Sequence, residues 1–333
     1  MSPPSGKPGK RYWAWAGLRL VLIFALLTGL SLIFALLSNG LEAGWNGATI
    51  SISLLFGLPF TVGALGTYLL SLLSIDKQRT FDKYRLWLLL AVLVAGSFVL
   101  SEAIICVLMI LPFWVFSGWI GALCVQGLRR RFQGRHRINC SVLAALPFLM
   151  LGLEAQLPQT GKDFVVARSI TIDAPAKVVR PLLFEMNNIQ RHEGRWNITQ
   201  DVLGVPRPKS AVVTFGSGGP RRLARWEDGV SFEEHIFAQT DDSLRWEFVF
   251  PNDSVSHRSD RHISPDGPHL KIMTGGYELA ALPDGRTRLT LDTSYRATTP
   301  VNTYAALWGE LILGDIQSNV LAAIKRRGER NSG

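Results

Sequence analysis

Long apolar runs fill the first half of the chain, and short alternating segments fill the second. Residues 17–38 are apolar apart from Arg19 and long enough to cross a hydrocarbon core, which takes about 20 helical residues. Residues 48–75 predict a second span, kinked at Pro59. The run 86–128 is too long for one helix, so we divide it near Ser101-Glu102 into spans over 86–101 and 104–128. Residues 138–157 predict a fifth, weaker span, which makes 17–157 an all-α transmembrane bundle of about five spans. Residues 1–16 read as a basic disordered tail, and 158–162 as a linker.

The period then changes to that of strands. Over 163–173, Val165, Ala167, Ser169 and Thr171 alternate with Val166, Arg168, Ile170 and Ile172. Ala174-Pro175 opens an amphipathic helix through Val178, Val179, Leu182 and Leu183, ending near Met186. Short strands follow over 211–215, 221–226, 230–237 and 244–250. Residues 277–282 and 286–297 form a hairpin about Pro283-Asp284-Gly285, with Leu289, Leu291, Thr293 and Tyr295 on one face. Thr299 reads as the N-cap of a closing helix with Pro300 at its first position. Its stripe of Tyr304, Trp308, Leu311, Ile312, Ile316, Val320, Ala323 and Ile324 must be buried, and the half-apolar sheet is the obvious partner. Strand, helices, antiparallel strands and a long last helix make an α+β domain over 163–327, before a tail of 328–333.

Charge follows the same division. Residues 1–137 hold 13 Lys and Arg against 4 Asp and Glu, whereas 138–333 hold 22 of each. The formal charge of +9 therefore lies between apolar runs, where it orients a membrane protein, and nucleic acid is excluded as a partner. The basic stretches 76–85 and 129–137 alternate with nearly neutral loops at Glu42 and Glu102. This places the basic set and the N-terminus in the cytoplasm and, with five spans, the polar domain on the periplasmic or extracytoplasmic side of the inner or plasma membrane. If the fifth span is interfacial, the polar domain is cytoplasmic. Cys106, Cys124 and Cys140 all fall in apolar segments, so no disulfide framework or thiolate metal site is expected.

The runs SITIDAPAKVVRPLLFEMNNI, ARWEDGVSFEEHI and GGYELAALPDGRTRLTLDTSYRATT, with the Trp-bearing last helix, resemble the START-like, polyketide cyclase/dehydrase and lipid-transport superfamily. The resemblance covers about 163–327 and none of the membrane half. It implies a helix-grip fold, a curved antiparallel sheet around a long C-terminal helix, with a cavity that often holds an apolar ligand. It does not imply one reaction.

Asp228-Gly229 reads as a two-residue turn pairing Arg225 with Phe232 and Leu223 with Glu234. On that register Arg225 and Glu234 face the cavity as a polar pair. The alternatives are a buried ion pair, a ligand anchor, or Glu234 as a general acid/base. Phe232, Trp246, Tyr277, Thr293, Tyr295 and Trp308 complete the expected ligand-binding set. His257, Asp260 and His262 match no strong zinc spacing, and Gly216–Gly219 precedes no helix, so neither a metal nor a cofactor is expected. The reading is a membrane-anchored binder of a hydrophobic, lipid-like small molecule. A cyclase, dehydrase or hydrolase using Glu234 is the alternative from another class. A sensor or assembly module with a membrane-protein partner is the third.

Overall fold

The computed structural model describes residues 10–42, 50–72, 78–100, 104–131, 140–158, 160–216, 219–251 and 264–332. The chain forms two compact units, Met1–Pro158 and Gln159–Gly333.

The first unit is helical: α1 (Lys10–Glu42), α2 (Leu58–Ser71), α3 (Gln78–Leu100), α4 (Ile104–Arg131) and α5 (Cys140–Glu154). Trp15–Ser38, Ser53–Ser71, Lys83–Leu100 and Ile104–Arg131 are long and apolar enough to cross a membrane. α5 has only 15 residues, about 22 Å at 1.5 Å per residue, so the fifth expected span is shorter than a full crossing. The expected hairpin at Ser101-Glu102 lies outside the described residues. The kink expected at Pro59 is instead a π-turn over Ser53–Gly57, just ahead of α2. Pro59 would clash with the carbonyl four residues before it, and a wider turn relieves the crowding.

Small residues let α2 and α4 touch. A Cβ on Gly63 would lie 2.0 Å from the Gly118 carbonyl oxygen, and one on Gly121 would lie 2.1 Å from that of Phe60. The two helices run in the same direction, because Phe60 meets Gly121 and, further along both, the Arg129 guanidinium lies 6.0 Å from the Tyr68 ring centre. α5 runs the other way along α2. A Cβ on Gly57 would lie 2.9 Å from Met150 Sδ, and the Glu154 carboxylate accepts from the Ile52 and Ser53 N–H groups at 2.6 and 3.0 Å. A carboxylate there satisfies orphan amides and opposes the positive end of the helix dipole. Leu27, Phe34, Leu70 and Val92 are fully buried within the bundle, while Leu22, Leu36, Phe98 and Leu149 cover its outside.

The second unit holds β1 (Lys162–Ile172), α6 (Ala176–Phe184), α7 (Ile198–Asp201), β2 (Pro208–Gly216), β3 (Gly219–Trp226), β4 (Ser231–Gln239), β5 (Ser243–Val249), β6 (Leu270–Ala281), β7 (Thr287–Ala297) and α8 (Asn302–Ser332). The strands form one antiparallel sheet in the order β1-β7-β6-β5-β4-β3-β2. α8 lies along β1 and β7, with α6 and α7 against it, which is the helix-grip arrangement. The β6–β7 turn is as expected: Gly285 takes φ +81°, and Leu282 N–H donates to the Arg286 carbonyl at 2.8 Å. Leu289, Leu291, Thr293 and Tyr295 are all buried on the inner face. Thr299 Oγ1 accepts from Val301 N–H, and Asn302 Oδ1 accepts from Thr299 N–H, so the expected cap closes reciprocally. The stripe on α8 is buried unevenly. Ala323 and Ile324 are enclosed, whereas Tyr304, Trp308, Leu311, Ile312 and Ile316 are only half-buried.

Gly121→Val should separate α2 from α4 and cost about 1–3 kcal/mol of stability. Gly127→Val, at a position with nothing within 4 Å of its Cβ, serves as the control. Thermal loss of the monodisperse detergent-solubilised chain measures both: a lower midpoint is expected for the first and little change for the second.

Candidate functional site

Turn length decides which residues face the site. Trp226 N–H donates to the Val230 carbonyl at 2.8 Å across a three-residue turn, Glu227–Gly229. Asp228 and Gly229 take φ +57° and +78° there. Arg222 therefore pairs with Glu234, Ala224 with Phe232, and Arg225 with Ser231. The expected two-residue turn is one residue too short, and a slip of one residue exchanges the faces of a strand. Arg225 is exposed on the outer face and does not meet Glu234. This corrects the expected pair: Arg222 takes the inward place.

Arg222 is the hub of the inner face. Its Nε donates to Glu234 Oε2, and its Nη1 donates to the Leu183 carbonyl in the last turn of α6. The guanidinium lies 4.7 Å from the Trp246 ring centre and 5.3 Å from that of Tyr277. Ion pair, helix C-terminus and two aromatic faces thus satisfy one buried charge. Burial opposes the Arg222 charge, but the Glu234 carboxylate more than restores it and leaves the guanidinium harder to deprotonate than usual. Burial also pushes the Tyr277 phenol above its ordinary range, while Arg222 pulls it back in part.

Aromatic rings continue from this hub. Phe232 packs against Trp226, Phe248 and Phe250 at centroid distances of 5.5, 5.8 and 5.7 Å. Trp246 meets Tyr277 at 5.1 Å. Phe232 and Trp246 are buried, whereas Trp226, Phe248 and Phe250 are only half-buried. Trp246 pairs with Gly275, and Gly275 with Thr293, in one row across β5, β6 and β7. The indole lies over the glycine, where a Cβ would come within 2.7 Å of it. Beyond it, Gln317 Nε2 of α8 donates to Thr293 Oγ1 at 3.0 Å and to the Val166 carbonyl at 2.9 Å.

The structure thus brings Phe232, Glu234, Trp246, Tyr277 and Thr293 together. Tyr295 is buried further along β7, stacked on Phe164 at 5.6 Å, and burial raises its phenol pKa. Trp308 sits half-buried on α8. Arg222, Gly275 and Gln317 escape a sequence reading. For Arg222 the signal is ambiguous, since Arg221 and Arg222 are adjacent and only turn length chooses between them. Gln317 announces itself as an uncharged polar residue between the apolar Leu313 and Ile324 of α8. His257, Asp260 and His262 lie outside the described residues.

A second polar cluster fastens the segment between α6 and β2 to α8. Glu193 accepts from Arg327 at 2.6 and 3.0 Å, from Arg330 at 2.8 Å, and from Gln190 N–H at 3.0 Å. Asn319 Oδ1 accepts from Arg195 N–H, and Asp315 Oδ2 accepts from the N–H and hydroxyl of Thr199. Burial alone would raise the Glu193 carboxyl, but these hydrogen bonds and charges outweigh it and lower the pKa to about 2.

Comparison with protein-family models gives no match, and comparison with curated proteins gives none. Among solved structures, the ZhuI aromatase/cyclase from Streptomyces sp. R1128 is 13% identical, with 51% of this chain and 96% of that one covered and a TM-score of 0.33. A norcoclaurine synthase from Thalictrum flavum is 12% identical over 54% of this chain and 100% of its own, with a TM-score of 0.31. A Mesorhizobium loti protein is 14% identical over 50% and 98%, with a TM-score of 0.29. Likeness at this level carries no argument about activity.

Two outcomes follow from the charges. Glu234→Gln leaves the Arg222 guanidinium buried without its counter-ion and should cost about 3–5 kcal/mol. Replacing both together, as Arg222→Met with Glu234→Leu, should recover most of that, and Arg225→Ala should change stability by less than about 0.5 kcal/mol. Denaturant unfolding followed by tryptophan fluorescence measures all three. The second outcome concerns pH. The folded Glu193 carboxyl titrates at about 2, below its ordinary 4.5. Its contribution is therefore complete above pH 4.5 and is lost as pH falls towards 2. Glu193→Gln should flatten the pH dependence of the unfolding midpoint across that window.

Proposed function

We propose that this chain is a membrane-anchored binder of an apolar or amphipathic small molecule, held between the inner face of the sheet and α8. The observation that carries this reading is the aromatic surface on β3, β4, β5 and the residue just after β5, where Trp226, Phe248 and Phe250 stay partly accessible beside buried Phe232 and Trp246. α8 follows β1 and β7, and the half-buried Trp308, Leu311 and Ile312 add apolar surface to the same helix. Ligand sites are mostly apolar with a few placed polar groups, and this surface has that character. With its carboxylate committed to Arg222, Glu234 holds the hairpin in this reading and takes no acid/base part.

The apolar helices of the first unit support anchoring, and their polarity supports an orientation. The ends of α2 and α4 that carry Tyr68 and Arg129 to Arg131 form the basic end. Glu154 binds the opposite end of α2, so α5 runs away from the basic end despite its length. By the positive-inside bias the basic end is cytoplasmic, and the chain after Pro158 emerges on the other side. Tethering there keeps the site at a high effective concentration beside the bilayer.

Organic extraction and native mass spectrometry of the purified full chain test the binder. An apolar adduct is expected, and Phe248→Asp should remove most of it. A chain that stays empty after incubation with lipid vesicles overturns the reading. Orientation is tested separately in a cysteine-free background with a membrane-impermeant maleimide. Asp284→Cys should label in intact cells stripped of their outer envelope, and Arg130→Cys only after permeabilisation; the reverse pattern overturns the orientation.

A further inference from the structure

The ion pair at the centre of the site is closed, which leaves the question of what a ligand's polar end would contact. Arg222 already holds Glu234, the Leu183 carbonyl and two ring faces. An anionic head group placed there would compete with Glu234 for the guanidinium. Two neutral groups nearby are in the opposite state. Trp246 Nε1 and Gln317 Oε1 are both buried, and neither has a hydrogen-bond partner among the described residues. A buried donor or acceptor left unmade costs about 1–3 kcal/mol, so each is a standing demand for a partner.

One row of the sheet leads from Trp246 to the helix residue Gln317. Trp246, Gly275 and Thr293 are directly paired across three strands, and Gln317 hydrogen-bonds Thr293 at 3.0 Å. Trp246 Nε1 lies 2.9 Å from the position of an added Gly275 Cβ, so the indole N–H reaches over the one place in the row without a side chain. Rotation of the Gln317 amide does not solve the problem. Its Nε2 donates to the Val166 carbonyl at 2.9 Å, and turning it would set oxygen against oxygen there.

We propose that Trp246, Gln317 and Thr293 form a polar niche for a single neutral hydroxyl group, which makes the ligand an apolar alcohol. The selection is stereoelectronic. A carbonyl or ether oxygen accepts from Trp246 but leaves Gln317 unmet. An ammonium donates to Gln317 but leaves Trp246 unmet, and a carboxylate sets its oxygens against Gln317 Oε1. Of these organic groups a hydroxyl alone both accepts and donates through one atom. The proposal rests on the ligand-binding reading above and names the chemistry of the same site.

The test uses the full chain in detergent micelles, labelled with 15N-tryptophan, and two probes with the same apolar body, 1-decanol and decyl methyl ether. The Trp246 indole resonance is the one, among ten tryptophans, that Trp246→Phe removes. Decanol is expected to move it downfield with a midpoint about tenfold lower than the ether, the worth of one buried hydrogen bond. Gln317→Leu, checked for folding by the dispersion of the other indole signals, should bring the midpoints within about twofold. Equal midpoints in the unaltered chain, with Trp226 still responding to both probes, overturn the niche and leave the binder standing. If neither probe moves either resonance, the binder falls as well. An exchange cross-peak from water to the Trp246 N–H that survives saturating decanol assigns the niche to water and overturns the alcohol.

Discussion

One guanidinium organises the polar unit. Arg222 joins β3 to β4 through Glu234, reaches the last turn of α6 through the Leu183 carbonyl, and stacks on the rings of β5 and β6. A charge taken out of water is tolerated only when every direction around it is occupied by a partner, and that condition dictates its neighbours. Gly275 follows from it: the Trp246 indole that faces the cation needs the space over a residue without a Cβ. The aromatic wall then extends from Trp246 through Phe248 to Phe232 and Phe250. Aromatic wall and stabilising charge are thus parts of one construction, and the ligand we propose would be left with the neutral donors and acceptors.

The helical unit obeys a different constraint in the membrane setting we propose, where its helices would gain nothing by hiding apolar surface from lipid. Close backbone contact replaces the hydrophobic effect, as where Gly63 meets Gly118 and Gly121 meets Phe60. The orphan amides of Ile52 and Ser53, at the start of the π-turn before Pro59, need partners, and the Glu154 carboxylate from another helix accepts from both. That contact also gives α5 a direction, which its length alone does not.

Much of this architecture is legible along the chain. Apolar length marks the helices of the first unit, and period-two alternation marks the strands and the buried face of β7, from Leu289 to Tyr295. The Pro283-Asp284-Gly285 turn and the Thr299 cap are local events, decided by residues a few positions apart, and they fall where their side chains require. Glu234 and most of the aromatic set are identified as inward-facing for the same reason, because alternation along a strand is a property of the strand itself.

Other features depend on partners far away in sequence. Whether Arg222 or Arg225 meets Glu234 turns on one residue of turn length, and both choices put an arginine in a good alternating pattern. Only the pairing of β3 with β4 decides it. Gln317 and Thr293 are separated by a whole turn and helix, so their contact exists only once α8 lies on β7. The clamp of Glu193 by Arg327 and Arg330 likewise joins residues more than a hundred positions apart. The chain by itself determined which segments are helix or strand and which faces are apolar, because those follow from local period and propensity. The tertiary structure alone decided which polar groups are satisfied and which remain open, because hydrogen bonding depends on the distance between groups that the chain brings together only on folding.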